Sequence, residues 1–228
     1  IEHNVTNRQA ISNLLTQFRS LVRGLETLRI AHGDLQHGNI IVSNGKLVLV
    51  DYDGMYVPEL AGSEAKERGH KDYQHPARYQ EFGPYLDCFS SIVIYLALKA
   101  LTLVPNLWEK YSAGGECLLF RQKDFLAPDR SKLLNDLEAI PALRPVIPRF
   151  RSICKTDLVQ VPRLADFLSG QMAAVLPESR IAPTQWKQYK IVPAEQRQRL
   201  LEVVGQRLMV VGKITDYRLG QTKHNKPY

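Results

Sequence analysis

The sequence has few cysteines, no long apolar run and no repeats, and each absence excludes a class of protein. Its three cysteines, Cys88, Cys117 and Cys154, lie far apart without metal-ligand spacing, so neither a zinc module nor a disulfide framework is expected. The most apolar stretch, residues 92–104, is shorter than the ~20 residues that a membrane span needs, and Lys99 interrupts it. Free thiols and the absence of a secretory signal pattern predict a reducing, cytoplasmic location without membrane contact.

The net charge of +7 is unevenly distributed along the 228 residues. Residues 1–143 contain 15 basic and 17 acidic residues, a balance of −2, whereas residues 144–228 contain 15 basic and 6 acidic residues, a balance of +9. A basic surplus of this size favours an anionic partner for the C-terminal part, such as nucleic acid, phosphorylated protein or acidic lipid. A solvated basic face without any partner stays open as the alternative.

Two strong local patterns lie in the first fifty residues. Apolar residues at steps of three and four predict an amphipathic helix over residues 8–29, with Asn7 as its N-cap. Two β-rich runs, residues 40–43 and 47–51, flank Asn44-Gly45. Because both residues of that dipeptide tolerate positive φ, the pattern predicts a tight hairpin.

The middle of the chain predicts one long loop and several helices. Residues 55–85 have little periodicity and are expected to form an ordered loop. Residues 88–103 are apolar on nearly every side, which is typical of a helix buried all round. Residues 131–170 are expected to form short helices. These helices are predicted to be broken by Pro141, Pro145, Pro148 and Pro162.

The composition changes after residue 172. Residues 173–193 are polar and contain proline, so we expect a linker there. Trp186 and Tyr189 lie within it and either stack on nucleic-acid bases or dock on the preceding domain. Residues 194–228 are expected to start a truncated basic β-containing module, with a short helix, an alternating strand at residues 207–217 and an OB-like barrel as one candidate fold.

The chemistry-bearing side chains are concentrated in residues 31–54, AHGDLQHGNIIVSNGKLVLVDYDG. Asp34 follows the long helix in a short polar loop, Asn39 comes five residues later, and the hairpin leads to Asp51. Phosphoryl transfer needs a carboxylate that orients the attacking hydroxyl and hard oxygen ligands that hold Mg²⁺ against the nucleotide phosphates. Because a hairpin brings the two ends of this stretch together, we expect these three side chains to surround one phosphate group.

This stretch resembles a known family. Residues 32–39, HGDLQHGN, are similar to the catalytic loop H-x-D-L-x-x-x-N of the protein-kinase superfamily, and residues 51–53, DYD, stand where that family has D-F-G. The resemblance implies ATP and Mg²⁺ as cofactors. It also implies these roles: Asp34 as catalytic base, Asn39 and Asp51 as metal ligands with Asp53 in reserve, and His32 as a scaffold of the loop.

Further similarities follow in the order that the family has them. Residues 69–76, GHKDYQHP, resemble the end of an activation segment, with Tyr73 and Pro76 in the places of its Tyr and Pro. Asp87 and the apolar run after it resemble the buried helix whose leading Asp braces the catalytic loop. The resemblance implies an α+β, mainly α fold over residues 1–172. This would be the C-terminal lobe, with a small β hairpin, of a divergent, bacterial-type Ser/Thr protein kinase that acts on a protein.

The sequence departs from the family pattern within the loop. Gly33 replaces the Arg that pairs with a phosphorylated activation segment, so this switch is expected to be absent. Gln36 stands where Ser/Thr protein kinases carry Lys, which puts one phosphate contact in doubt. Asp53 replaces the Gly of D-F-G, and we favour Asp51 as the ligand because it directly ends the predicted strand. A structural role is expected for His37, and packing or surface positions for His70 and His75.

Two alternatives stay open. Neither the glycine-rich loop nor the V-A-I-K lysine of the N-terminal lobe is found, so we expect that lobe upstream of residue 1 and an inactive fragment without it. A small-molecule kinase of the aminoglycoside or choline type shares the HGD triplet, but the 24 residues between Asp51 and Pro76 argue against it. A catalytically silent scaffold is disfavoured because Asp34, Asn39 and Asp51 are all present.

Overall fold

The structure is a computed structural model that describes residues 7–65, 68–112, 116–171, 190–193 and 208–211. It is α+β and mainly helical, with a two-stranded antiparallel sheet, which confirms the coarse fold class expected from the sequence. The chain divides into two compact units, Ile1–Ser179 and Arg180–Tyr228, which are described separately.

Helix α1, Arg8–Leu28, forms where the apolar periodicity predicts it. The side chain of Asn7 accepts a hydrogen bond from the Ala10 N–H at 3.0 Å and so caps the N-terminus, as expected. One stripe of α1 is buried and packs against the first unit's central helix, whereas its opposite face is exposed. The buried residues of this stripe are Ile11, Leu15, Phe18 and Val22.

Helix α2, Cys88–Leu103, is the centre of the first unit. Twelve of its 16 residues are buried, so it has no polar face, in agreement with the sequence pattern. The ring of Phe89 contacts Phe125 and Phe150 at centroid distances of 5.0 and 5.7 Å. Within the described ranges, no helix is long and apolar enough to cross a membrane.

The cysteines are buried side chains of the first unit. Cys88, Cys117 and Cys154 are all free and buried, as the sequence predicted. Burial raises the pKa of the Cys88 and Cys154 thiols to about 12. These two therefore stay protonated at neutral pH and act as small apolar side chains.

The predicted hairpin is formed by β1, Ile40–Ser43, and β2, Lys46–Leu49, which pair antiparallel with Ile40 opposite Leu49. Asn44 and Gly45 have φ values of 48° and 73°, as the tight turn between them requires. Strand β2 ends earlier than expected. The prediction that Asp51 directly ends the strand was wrong, because one residue, Val50, separates Leu49 from the left-handed turn at Asp51.

Five short helices complete the first unit, and their sequence patterns were weaker. They are α3, Leu107–Tyr111; α4, Gln122–Leu126; α5, Lys132–Glu138; α6, Ile147–Ile153; and α7, Leu164–Ser169. Helices α3 and α4 were not predicted, since five residues are too few to show a period. Pro148 lies in the first turn of α6 instead of breaking a helix, because a backbone N–H is not needed there.

The second unit contains two described strands, β3, Lys190–Pro193, and β4, Leu208–Val211, which pair in parallel. Residues 190–193, which the sequence analysis assigned to the end of the linker, form β3. The strand expected within residues 207–217 is present as β4. Trp186, Tyr189 and the short helix expected over residues 194–204 lie outside the described residues, as does the rest of the proposed barrel.

Candidate functional site

The loop that follows α1 is fixed in the first unit by a backbone bridge. Helix α1 ends at Arg29, which is in the left-handed region with a φ of 56° and so turns the chain inward. Ala31 then exchanges two backbone hydrogen bonds with Tyr56, at 3.1 and 2.8 Å. Because Tyr56 follows residues 51–53 closely, this bridge places the start of the HGDLQHGN loop beside the DYD segment.

Asp87, the residue before α2, binds the backbone at the start of the HGDLQHGN loop. Its carboxylate accepts hydrogen bonds from the backbone N–H of His32 at 2.5 Å and from that of Gly33 at 2.9 Å. Only 7% of Asp87 is exposed. Burial raises the pKa of the Asp87 carboxyl, and the two N–H groups, His32 and the Arg78 guanidinium oppose this rise. The contact is the brace that the family resemblance implied.

Arg78 binds the next peptide group of the loop, at the carbonyl of Gly33, and sequence reasoning did not find it. Its Nη1 donates to the Gly33 carbonyl at 2.6 Å and to Oε1 of Gln74. Burial lowers the pKa of Arg78, and the charges of Asp87 and Asp34 oppose this effect. Arg78 lies in the stretch without periodicity, so no pattern marked it as a buried cation. Together, Arg78 and Asp87 fix the residue immediately before Asp34.

Asp34 and Asn39 are in direct contact, as the sequence predicted. The Nδ2 of Asn39 donates to the Asp34 carbonyl at 2.9 Å and to Asp34 Oδ2 at 3.0 Å. The Nε2 of Gln36 donates to the same Oδ2 at 2.8 Å, and the backbone N–H of His70 donates to Oδ1 at 2.6 Å. The residue that replaces the family's Lys is therefore a partner of the candidate base.

The peptide before Asp51 is bonded to the same loop. The Nε2–H of His32 donates to the Val50 carbonyl at 2.9 Å, and the Val50 N–H donates to the Asn39 carbonyl at 3.1 Å. His32 is fully buried, which agrees with a scaffold position. Asp51 itself is exposed, with a φ of 64° that only a few non-glycine residues, Asp and Asn among them, adopt readily.

Asp53, the reserve ligand, has a simpler local explanation. The Met55 N–H donates to the Tyr52 carbonyl at 3.0 Å, so Asp53 and Gly54 are the central residues of a turn. Asp is common in such turns for conformational reasons alone. Throughout the described part of the chain, no hydrogen bond or ion pair engages the carboxylate of Asp51 or Asp53.

No protein-family model matches the chain, and no curated protein matches it either. The geometry of the loop therefore carries the functional argument. That geometry brings together His32, Asp34, Asn39 and Asp87, and it places the segment at Asp51 against them.

The segment that resembles the end of an activation segment packs on this loop through Tyr73. The Tyr73 hydroxyl is hydrogen-bonded to Nδ1 of His37 at 2.7 Å and accepts from the Leu118 N–H at 3.0 Å. Tyr73 is 1% exposed, and burial raises its pKa. His37 therefore has the structural contact that the sequence led us to expect, and it binds a residue from the distant segment.

His70, His75 and Pro76 are placed by packing. His75 is buried; its Nδ1 accepts the Ala77 N–H at 3.1 Å and its Nε2–H donates to the Ile153 carbonyl at 2.8 Å. Burial lowers the pKa of His75, so the ring is neutral at pH 7. Pro76 is half-buried in the turn that follows, and the half-buried ring of His70 meets the ring of Tyr73 edge-on.

We expect Asp87→Asn to lower the free energy of unfolding by about 1–3 kcal/mol, because an amide turns its NH₂ group toward one of two buried backbone N–H donors. Hydrogen exchange should then show faster exchange at the amides of His32 and Gly33. Asp124→Asn is the matched control, since that buried carboxylate also accepts two hydrogen bonds but lies outside the loop. Equal loss of protection at the loop in both variants would contradict a specific brace.

Proposed function

We propose that this chain carries the catalytic loop of an ATP-dependent phosphotransferase with a protein-kinase-like C-terminal lobe, and that the acceptor is a Ser or Thr hydroxyl of a protein. The observation that carries the proposal is the cluster in which Asn39 donates to both the carbonyl and the carboxylate of Asp34. The spacing of residues 32–39 alone does not require that contact. It is the contact that a base and a metal ligand of one phosphate site need.

Asp34 is the proposed base. A carboxylate has about four acceptor positions, and His70, Gln36 and Asn39 use three of them. The position that is left lies on Oδ1, where an acceptor hydroxyl can donate its hydrogen bond. In this role Asp34 orients the hydroxyl for attack and takes its proton.

Asn39 and Asp51 are the proposed metal ligands. Among the described residues there is no group of three or more His, Cys, Asp or Glu side chains that could hold a metal ion, so a metal held by such a cluster does not fit. Mg²⁺ bound with a nucleotide does fit, because it needs only one or two protein oxygens besides phosphates and water. Asn39 commits its Nδ2 to Asp34, which leaves Oδ1 as a ligand. ATP held there would supply the phosphoryl group, and its Mg²⁺ would offset the negative charge of the phosphates.

The choice of a protein acceptor rests on residues 69–76. His70 of this segment donates directly to Asp34, and Tyr73 is buried against the loop through His37. A segment held at the base in this way is suited to position an extended acceptor beside Asp34. A small-molecule acceptor is the first alternative, since the HGD triplet and the lack of Lys at position 36 are both commoner in those enzymes than in protein kinases.

One observation favours the second alternative, a catalytically silent module. The Asp34 carboxylate already has three internal partners, which makes it a good structural residue without any substrate. A phosphoryl-transfer assay distinguishes the protein kinase, the small-molecule kinase and the silent module. It uses the longest natural polypeptide that contains these 228 residues. We expect Mg²⁺-dependent phosphorylation of Ser or Thr in a peptide library. Transfer of phosphate to an aminoglycoside or to choline would indicate the small-molecule reaction. Absence of ATP binding would indicate the silent module.

We expect Asp51→Asn to weaken Mg²⁺-dependent nucleotide binding by about tenfold or more, and Asp53→Asn to leave it nearly unchanged. Asn is the appropriate substitution because it removes the charge and still tolerates the positive φ of Asp51. A binding titration with and without Mg²⁺ measures the difference, which should disappear in EDTA. The reverse order of the two variants would move the metal ligand to Asp53.

A further inference from the structure

A basic cavity lies in the first unit, away from the HGDLQHGN loop. Its volume is about 620 Å³, which is within the range of ligand sites. It is bordered by helices α3, α4 and α5. Five of its lining side chains are basic: Lys110, Arg121, Lys123, Arg130 and Lys132.

The acids near this cavity neutralise little of its charge. Asp124, the one acidic residue in the lining, is buried, and its carboxylate accepts the Arg121 N–H at 2.9 Å and the Ser131 hydroxyl at 2.7 Å. Asp136 lies outside the lining and pairs with Lys110 at 2.5 Å. Within the described ranges, the other four cations form no ion pair. An unbalanced positive charge is therefore concentrated in one concave site.

This concentration is not a consequence of overall composition. The cavity is built from residues 110–133, which belong to the part of the chain with a balance of −2, and not from the basic C-terminal part. Cations of like sign repel one another when the fold gathers them in a cleft, and a bound anion removes that repulsion. The site thus has the charge and the shape of an anion-binding pocket.

We propose that this cavity binds an acidic segment of a partner protein, whose carboxylate or phosphoryl oxygens contact Arg121 and Arg130. Exposed Ala127 adds a small apolar surface to the lining, whereas Leu119 and Leu133 are buried. Nucleic acid fits less well, because it needs an extended basic track and aromatic stacking. Tyr111 is the one aromatic residue in the lining, and its hydroxyl is bonded to Asp136 at 2.5 Å.

The cavity is connected to the candidate site by the residues that precede α4. The Gln122 N–H donates to Oδ1 of Asp72 at 2.8 Å, and the Leu118 N–H donates to the Tyr73 hydroxyl at 3.0 Å. Arg121 lies between these two contacts in the chain. Residues 118–122, at one border of the cavity, are therefore bonded directly to Asp72 and Tyr73 of the segment 69–76. The proposal concerns binding alone and stands without phosphoryl transfer.

The test is fluorescence anisotropy with the 228-residue chain and three labelled peptides of equal length, one rich in glutamate, one with phosphoserine and one with glutamine in place of glutamate. We expect the first two to bind and the third not to bind. Affinity should fall steeply as salt increases, since the contacts are ionic. Phosphoserine binding without glutamate binding would assign phosphoryl oxygens as the ligand. Binding of both would assign any anionic oxygen.

The double variant Arg121→Gln, Arg130→Gln should weaken peptide binding by about tenfold or more. Lys123→Gln, Lys132→Gln, on exposed positions of the same cavity, should weaken it in the same direction even if the first variant folds poorly. The control Arg19→Gln, Arg23→Gln removes equal charge from the exposed face of α1 and should change nothing. Three outcomes would overturn the proposal. The first is an equal loss of affinity in the control and the cavity variants, and the second is equal binding of the glutamine and glutamate peptides. The third is displacement of the labelled peptide by single-stranded DNA at a lower concentration than by unlabelled glutamate peptide.

Discussion

Asp34→Asn is expected to reduce phosphoryl transfer by about 10²–10⁴-fold, the usual contribution of a general base, and so to make transfer undetectable in a routine assay. The amide cannot accept the proton of the attacking hydroxyl. The fold should persist, because the loop stays held by Asp87 and Arg78 at Gly33, and the lost hydrogen bonds cost only about 1–3 kcal/mol.

The measurement is kcat at saturating Mg-ATP, in the longest natural polypeptide that contains the chain, together with a urea unfolding curve. Asp53→Asn is the matched control, since it makes the same chemical change at an exposed turn residue of the neighbouring segment. We expect it to retain most of the activity. Undiminished transfer by Asp34→Asn would exclude Asp34 as the base. If this variant does not fold, the nucleotide-binding titration of Asp51→Asn and Asp53→Asn tests the assignment of the phosphate site instead.

Gly33→Ala is expected to lower the free energy of unfolding by about 3 kcal/mol or more. Gly33 has a φ of 81°, where an L side chain costs about 1–2 kcal/mol. A Cβ atom there would also lie 2.1 Å from the Gly54 carbonyl oxygen, and forcing those backbones apart adds about 1–3 kcal/mol. Since Asp34 follows directly, nucleotide binding and transfer should be lost in the same variant.

Gly45→Ala separates the cost of the positive φ from the cost of the steric overlap in the destabilisation expected for Gly33→Ala. Gly45 has a similar φ of 73°, but no atom lies within 4 Å of the position of a Cβ. We expect this control to lose only about 1–2 kcal/mol in urea unfolding. Equal destabilisation by the two variants would show that the approach of Gly33 to Gly54 is unimportant. A larger effect at Gly33 would show that the Gly54 backbone fills the space that a side chain at this position needs.

The parts of the fold that the sequence predicted correctly are those with a strong local pattern. Helix α1 repeats its apolar residues over six turns, α2 is apolar throughout, and Asn44-Gly45 specifies a turn by its own φ preferences. Helices α3 and α4 and strand β3 are too short to show a period, so they were not predicted. The end of β2 was placed too late because Val50 is as β-prone as the residues before it, although its hydrogen bonds lead to Asn39 and His32.

The candidate site divides in the same way. Asp34, Asn39 and Asp51 were predicted from their spacing within one stretch joined by a tight hairpin and from its resemblance to a kinase loop. The structure shows the contact between Asp34 and Asn39. Arg78 and Gln74 were not found, since they are 45 and 41 residues from the Gly33 carbonyl that they contact. The contacts of such residues depend on the path that each loop takes through the folded chain. No local sequence pattern predicts this path.

The sequence by itself determined where the loop, the turn and the acids lie along the chain, because turn geometry and helix periodicity act between neighbours. Only the tertiary structure decided that Asp87 binds the N–H of Gly33 and Arg78 binds its carbonyl, and that Asp34 accepts the N–H of His70. It also placed five basic side chains around one cavity. These contacts arise when buried helices bring distant segments together. Their energies depend on how deeply each side chain is buried, and this cannot be derived from the sequence.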